Sequence, residues 1–416
     1  MRFYKSHPPQ QKIKGQVECF RYLLENFQKY RGICSGKEFY YWDDSGWIKY
    51  PYDKIKEDVM DILGNDFKDS KLKYVISQLI NKLTKEANIP DHYLPFLKGY
   101  YDLSKDKFIP DVNYIRDHYV VDFIPVEYDP KASCPMWKKI LSDYFKGDRY
   151  ANQKILAIQQ YMGYCLTSYK FNIALCLYGD GGNGKSTVGD VLNFFFIRKS
   201  EVELQDFNDQ NAILPLLNSR FNVSNEVNNS RSIPWHKFKT YVEGRSTIGW
   251  VKYQDKFQFE PKCKFLLCTN ELLQFNENDF GIKRRLNFIE FKNNHRENPN
   301  RNIKTILQQE LPGILNWMLE ELPAFIENNG KLAYNEKLTT ARADQYQKLL
   351  EILNTLSWQE ELFFKEVYDF YAEECKKGAI ASLAKNSIGA ALKDFESPYR
   401  LKHGTNNRVI IYRLNS

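Results

Sequence analysis

The sequence predicts an α/β protein whose core is a parallel sheet carrying a P-loop, preceded by a mainly helical region and followed by helices and a small terminal module. Residues Gly179-Asp180-Gly181-Gly182-Asn183-Gly184-Lys185-Ser186 make a full glycine-rich phosphate loop. The loop stands between the apolar run Ile173-Ala174-Leu175-Cys176-Leu177-Tyr178 and a helix-like stretch from Val188 to Phe196, the strand, loop and helix order that the motif needs. Residues 171 to about 292 then alternate strand and helix patterns in the manner of a parallel sheet.

Periodicity and punctuation divide the chain. Residues 1–90 open with a helical pattern (Val17, Phe20, Leu23, Leu24, Phe27), pass through an aromatic hairpin from Phe39 to Tyr50 that is expected to pack as core, and return to helix through Leu83. This region reads as an accessory α+β domain. Residues 91–170 hold a short strand and turn segment (Leu97 to Pro110), then two amphipathic helices ending near Leu166. The core occupies 171–295. In 296–349, Leu307, Leu311, Ile314, Leu315, Met318 and Leu322 share one side of a helical stretch from Ile303 to Ile326, and a terminal module spans 350–416.

Composition excludes several classes. No uncharged apolar stretch reaches 18 residues, and Met1-Arg2-Phe3-Tyr4-Lys5 opens no secretory signal, so a soluble, cytoplasmic protein without a membrane partner is expected. The eight cysteines form no C-x-x-C pair and should be buried, reduced thiols. A net charge of +7 favours polyanionic partners, and eight lysines and arginines from Lys376 to Arg413, against Asp394 and Glu396, could touch phosphate backbones or form a solvated face.

The loop implies a nucleoside triphosphate with Mg²⁺. Backbone N–H groups of Gly179 to Gly184 crowd the phosphates and the helix N-terminus, with Thr187 in its first turn, adds its dipole; Lys185 reaches the outer phosphates and the Ser186 hydroxyl ligates Mg²⁺. A triphosphatase also needs an acid at the end of a second strand, and Arg220-Phe221-Asn222-Val223-Ser224-Asn225-Glu226 offers Glu226 as metal ligand or water-polarising group. Asn270, ending the apolar strand pattern from Phe265 to Thr269, is placed to orient the attacking water. Arg284 and Arg285 precede another strand and would act in trans on a neighbour's nucleotide.

Between Glu226 and Asn270 the chain reads as a helix ended by Gly244 and then a hairpin from Ile248 to Phe259 with Gln254 and Asp255 near its tip. Lys252 and Lys256 would meet phosphates of a nucleic acid strand, and Trp250 or Tyr253 would stack on a base or simply pack.

The succession of loop, Glu226, Lys239 with Gly244 and the hairpin, Thr269-Asn270, then Arg284-Arg285-Leu286 with Phe291 resembles the superfamily 3 (AAA+) helicases of the phage, plasmid and large-DNA-virus primase-helicase group. Gly99-Tyr100-Tyr101-Asp102-Leu103, the run from Pro125 to Ala132, and Gln159-Gln160-Tyr161-Met162-Gly163-Tyr164 are similar to the helical collar of that family. The run from Glu310 to Trp317 and the end module, with Phe370-Tyr371, look like its helical subdomain and winged-helix tail. The resemblance implies an AAA+ P-loop NTPase and a ring, usually hexameric, that hydrolyses ATP with Mg²⁺ between subunits and moves on single-stranded and forked DNA. It implies Lys185, Glu226, Asn270 and one of Arg284 and Arg285 as catalytic residues, Ser186 and Glu226 toward the metal, and Lys239, Trp250, Lys252, Tyr253 and Lys256 toward DNA. Asn225 stands where many members carry a second acid, so Mg²⁺ would rest on Ser186 and water more than on carboxylate. No acidic pair followed by histidine marks a primase within the first 90 residues, so a primase or polymerase is expected as a partner domain or protein. A DNA-packaging motor and an origin-binding or loading ATPase are the competing readings. Unwinding discriminates both from a helicase.

Overall fold

The computed structural model describes residues 13–43, 46–227, 232–250, 256–273, 275, 279–293, 303–335, 349–353, 362–377, 388, 399–403 and 409–413. The chain forms two compact units, Met1–Glu336 and Lys337–Ser416.

The first unit opens with α1 (Gly15–Lys29), the antiparallel strands β1 (Ile33–Ser35), β2 (Glu38–Asp43) and β3 (Gly46–Tyr50), and helices α2 (Tyr52–Leu63) and α3 (Asp69–Leu83). Cys19, Leu23 and Phe27 recur every four residues on α1 and bury against Val75 and Leu79 of α3 in one core. Trp42 faces Trp47 across β2 and β3 with rings 5.3 Å apart, and the Trp47 indole N–H donates to the Ile115 carbonyl at 3.1 Å. The aromatic stretch therefore packs, as its sequence suggests.

A second antiparallel meander, β4 (Tyr93–Phe96), β5 (Gly99–Asp102) and β6 (Lys107–Pro110), leads through α4 (Tyr114–Asp117) into α5 (Pro135–Tyr144) and α6 (Ala151–Cys165). The core follows: β7 (Ala174–Tyr178), α7 (Lys185–Asn193), β8 (Lys199–Ser200), β9 (Phe221–Val227), α8 (Trp235–Val242), the hairpin β10 (Thr247–Gly249) and β11 (Phe257–Phe259), β12 (Lys264–Thr269), α9 (Phe280–Lys283) and β13 (Leu286–Glu290). Five of these strands form one parallel sheet in the order β13-β7-β12-β9-β8. β12 is buried at every position, the pattern of a strand covered on both faces.

Two sequence expectations change. α6 is not amphipathic over its second half: every residue from Ala157 to Cys165 is buried, because the helix runs between the sheet and the helices that follow the core. Its amides are consumed internally, Gln159 donating to the Trp317 carbonyl at 2.6 Å and Gln160 accepting from the Ala333 N–H at 2.8 Å. The stretch from Ile303 to Ile326 is three helices, α10 (Ile303–Gln309), α11 (Leu311–Glu320) and α12 (Leu322–Glu327). Pro312 and Pro323 stand at the starts of α11 and α12, where a missing N–H costs nothing and continuation of the preceding helix is blocked.

The second unit contains β14 (Leu362–Phe363), α13 (Phe364–Lys377), β15 (Tyr399–His403) and β16 (Val409–Arg413), with antiparallel strand order β14-β16-β15. Val367, Tyr371 and Cys375 of α13 are buried. All eight cysteines are buried and free. Among the described residues no helix is long and apolar enough to cross a membrane.

Close packing of α6 is testable at Gly163, where an added Cβ would stand 2.5 Å from the Met318 carbonyl oxygen of α11. Gly163→Ala should destabilise the protein by about 1–3 kcal/mol, read from urea unfolding. A second test concerns Lys264, whose ammonium donates to the Tyr169 carbonyl and lies 4.4 Å from the Tyr164 ring centroid. Burial pushes its pKa down from 10.5 to about 7. Between those values the unfolded chain holds a proton that the fold has released, so stability rises with pH across that window and the full penalty applies below it. Lys264→Met should therefore raise the stability by about 1–3 kcal/mol at pH 6, with the gain shrinking toward pH 10.

Candidate nucleotide site

β7 lies between β12 and β13, so the loop leaving its carboxyl end opens where strand order reverses, the position at which open α/β sheets bind ligands. Gly184 has φ +97° and precedes α7 directly, a conformation that L side chains rarely adopt. Gly179, at φ +137°, lets the loop run against β13: a Cβ there would stand 2.2 Å from the Phe291 carbonyl oxygen. That same oxygen accepts from the Asn183 side-chain amide at 2.7 Å, and the Phe291 N–H donates to the Tyr178 carbonyl at 2.8 Å. The end of β13 is thus continuous with β7 and forms the wall of the loop.

Lys185 is buried, and its ammonium donates to the carbonyls of Gly179 and Asp180, to Asn183 Oδ1 at 2.9 Å and to Asn270 Oδ1 at 3.3 Å. Two residues far apart in sequence therefore meet over the loop. All four partners are neutral oxygens, and no carboxylate balances the ammonium among its described contacts. Burial accordingly lowers its pKa. A cation held over a glycine-rich loop at the start of a helix is suited to the oxygens of a polyphosphate.

Glu226 lies on β9, next to β12, which ends at Thr269; Thr269 is in register with Val227. An acid that the sequence reading did not single out adjoins it. Glu203 Oε1 accepts from the Asn225 N–H at 3.0 Å, because the chain after β8 runs beside β9, with Asn222 and Ser224 donating to the Val202 carbonyl. Nothing in the spacing of Glu203 announces this, since it follows from parallel strand pairing.

Tyr144 of α5 is a second residue the sequence left unmarked. Its hydroxyl donates to Thr187 Oγ1 at 3.2 Å, and its ring backs Gly184 so closely that a Cβ there would stand 2.2 Å away. The helical region before the core therefore touches the loop itself. Farther along, Lys154 of α6 is 1% exposed and donates to Asp148 at 3.0 Å and to the Glu290 carbonyl at 3.1 Å, fixing the end of β13 that walls the loop.

The two arginines have different surroundings. Arg285 is buried, donates to the Gly281 carbonyl and pairs with Glu243 just beyond α8. The Arg284 side chain is 70% exposed and only 3.6 Å from the same carboxylate, which also takes Arg245 at 2.6 Å. Lys239, on α8, pairs with Asp279 at 2.8 Å and holds that carboxyl below its usual pKa range. The expected hairpin is present: Thr247 pairs with Phe259 and Gly249 with Phe257. Trp250 is 37% exposed and Lys256 is exposed, whereas Lys252 and Tyr253 lie outside the described residues.

Residues 20–146 match a family described as D5 N terminal like, and residues 177–285 match one described as a family of unknown function, DUF5906. The fold resembles solved structures described as the A form apo structure of the NrS-1 C terminal region, with 13% identity, a TM-score of 0.51, and coverage of 95% of this chain and 99% of that one. A second, described as the same region spanning 305–718, gives 14% identity, a TM-score of 0.50, and coverage of 96% and 100%. No curated protein matches the sequence. The identities are low, so the shared property is the fold over nearly the whole of both chains.

The Arg285 pair predicts a stability effect. Glu243→Ala leaves a guanidinium that is 4% exposed without its carboxylate and should cost about 3–5 kcal/mol, measured as a shift of the urea midpoint.

Proposed function

We propose that the chain is the ATP-driven motor of a replication primase-helicase, an AAA+ helicase of the superfamily 3 type that works as a ring on single-stranded and forked DNA. The observation that carries this reading is the convergence of Lys185 and Asn270 on a glycine loop at the reversal point of the parallel sheet, with the strand of Glu226 alongside. The D5 N terminal like match and the fold shared with the NrS-1 C terminal region support placing it with primase-helicases of phage type. The terminal helix with its antiparallel strands, including the hairpin β15–β16, is compatible with a winged-helix module.

Bound ATP with Mg²⁺ would supply the scissile phosphoanhydride and the charge that offsets its oxygens. The loop N–H groups and Lys185 bind the phosphates, and Ser186 with Glu226 would hold the metal. Glu203, accepting from the Asn225 backbone N–H, brings a carboxylate to the strand beside Glu226. The Asn270 side chain, already 3.3 Å from the ammonium, orients water toward the outer phosphate. Arg284, 70% exposed and held to Glu243 only by a 3.6 Å contact, is the guanidinium that would reach a neighbouring subunit, since Arg285 is buried against that carboxylate. Lys256 and Trp250, on or beside the hairpin, together with Lys252 and Tyr253, would contact the DNA strand, and Lys239 would join them on leaving Asp279.

ATP hydrolysis with and without single-stranded DNA, run beside forked-duplex unwinding, tests the proposal. Lys185→Ala should abolish nucleotide binding and all activity, Asn270→Ala should keep binding but lower the hydrolysis rate by about 100-fold, and Arg284→Ala should lose about 1000-fold in hydrolysis while still binding nucleotide. Hydrolysis indifferent to DNA, with no duplex opened at any protein concentration, would sink the helicase reading in favour of a loading or packaging ATPase.

A further inference from the structure

Around the buried Arg285 pair, more positive charge gathers than that pair requires. The Glu243 carboxylate takes three guanidiniums: Arg285 and Arg284 on Oε1, the latter at 3.6 Å, and Arg245 on Oε2 at 2.6 Å. Arg285 is 4% exposed, and one carboxylate neutralises it. The Arg245 side chain, like that of Arg284, is largely exposed, at 72%, and neither has a partner other than Glu243 among the described residues. Lys170 adds charge of the same sign, its ammonium standing 2.8 Å from where a Cβ on Gly244 would be. Asp279, the carboxylate just before α9, is occupied by Lys239 at 2.8 Å. Three guanidiniums on one carboxylate leave the cluster with net positive charge. Like charges held this close repel, a cost that a bound anion removes.

The position of the cluster restricts which anion it can hold. The Ala174 N–H donates to the Arg285 carbonyl at 2.7 Å, which puts Arg285 at the amino end of β7, whereas the glycine loop leaves β7 at its carboxyl end, beyond Tyr178. The strand between them spans about 13–16 Å at ~3.3 Å per residue. A phosphate seated on Arg245 and Arg284 is therefore not one bound by the loop of the same subunit. Both guanidiniums are braced on one carboxylate, one at each oxygen, which fixes their spacing while leaving N–H donors of both in solvent. Planar forks set side by side suit a tetrahedral phosphate better than a single point charge does.

We propose that Arg245 and Arg284 form one two-guanidinium site for the outer phosphate of a nucleotide held in the loop of a neighbouring copy of the chain, with Glu243 as the brace that positions both. This rests on the ATP-driven ring reading and adds Arg245 to it as a second catalytic group supplied across the interface. As water bonds to the γ-phosphorus and the bond to the β–γ bridging oxygen breaks, one water proton stays on the released phosphate and the other goes to solvent. The guanidiniums exchange no proton and stabilise the charge on the transferring group.

The test joins ATP hydrolysis and nucleotide binding to the mixing of variant subunits. Arg245→Ala should slow hydrolysis by about 10- to 100-fold, with nucleotide affinity and the urea midpoint left near wild type because the ion pair it removes is exposed. Arg245→Lys should recover little, since an ammonium cannot reproduce the fork. An equal mixture of Arg245→Ala with Lys185→Ala should regain hydrolysis, because in a random ring about a quarter of the interfaces join an intact loop to an intact Arg245. Arg245→Ala mixed with Arg284→Ala should regain none, as every interface then lacks one guanidinium; recovery there splits the pair into two sites and overturns the proposal. Hydrolysis by Arg245→Ala within twofold of wild type overturns it, as does unchanged hydrolysis with weakened binding of single-stranded DNA, which gives Arg245 to a strand phosphate. A wild-type chain that hydrolyses ATP as a monomer brings down the ring reading itself, and this site with it, an outcome distinguishable from the others because it is read on the unmutated protein.

Discussion

The Phe291 carbonyl oxygen is the contact on which the geometry of the loop rests. It abuts Gly179, accepts from Asn183, and belongs to a residue whose N–H extends the β7–β13 ladder to Tyr178. The loop therefore has one wall of backbone, and only glycine at its first position allows the approach. Lys154 secures this wall from behind by donating to the Glu290 carbonyl, and Tyr144 presses on Gly184 from the other side. A glycine loop has many conformations available to it; here neighbouring elements select one.

That dependence ties the helical region before the core to the chemistry expected of the loop. α5 carries Tyr144 to Thr187, and α6 carries Lys154 to β13 while burying itself between sheet and α11. In the proposed motor, a change in the loop on binding or losing nucleotide would be felt first by these helices, because they touch it directly. The close packing of Gly163 on Met318 leaves little room for the change to be absorbed locally.

Charge is distributed by the same logic. Lys185 donates only to neutral oxygens among its described partners, a costly arrangement that favours an anionic ligand. Arg285, by contrast, is neutralised by Glu243 and buried, while its neighbour Arg284 points to solvent. One residue of offset along the chain before β13 separates a structural guanidinium from an available one. The Lys239 pair with Asp279 similarly occupies a lysine that the family resemblance assigns to DNA.

The sequence by itself determined what local chemistry can encode. The glycine spacing, the Lys185-Ser186 pair, the apolar runs of β7 and β12 and the β10–β11 hairpin were all legible, because each depends on residues adjacent in the chain. Helix breaks at Pro312 and Pro323 were available in principle but masked by a continuous apolar stripe. Which of Arg284 and Arg285 is exposed, how Glu203 comes to lie beside Asn225, and how Tyr144 reaches the loop were decided only in the tertiary structure. These rest on parallel strand order and on helices packed across a sheet, contacts between residues tens to more than a hundred positions apart, for which periodicity carries no signal.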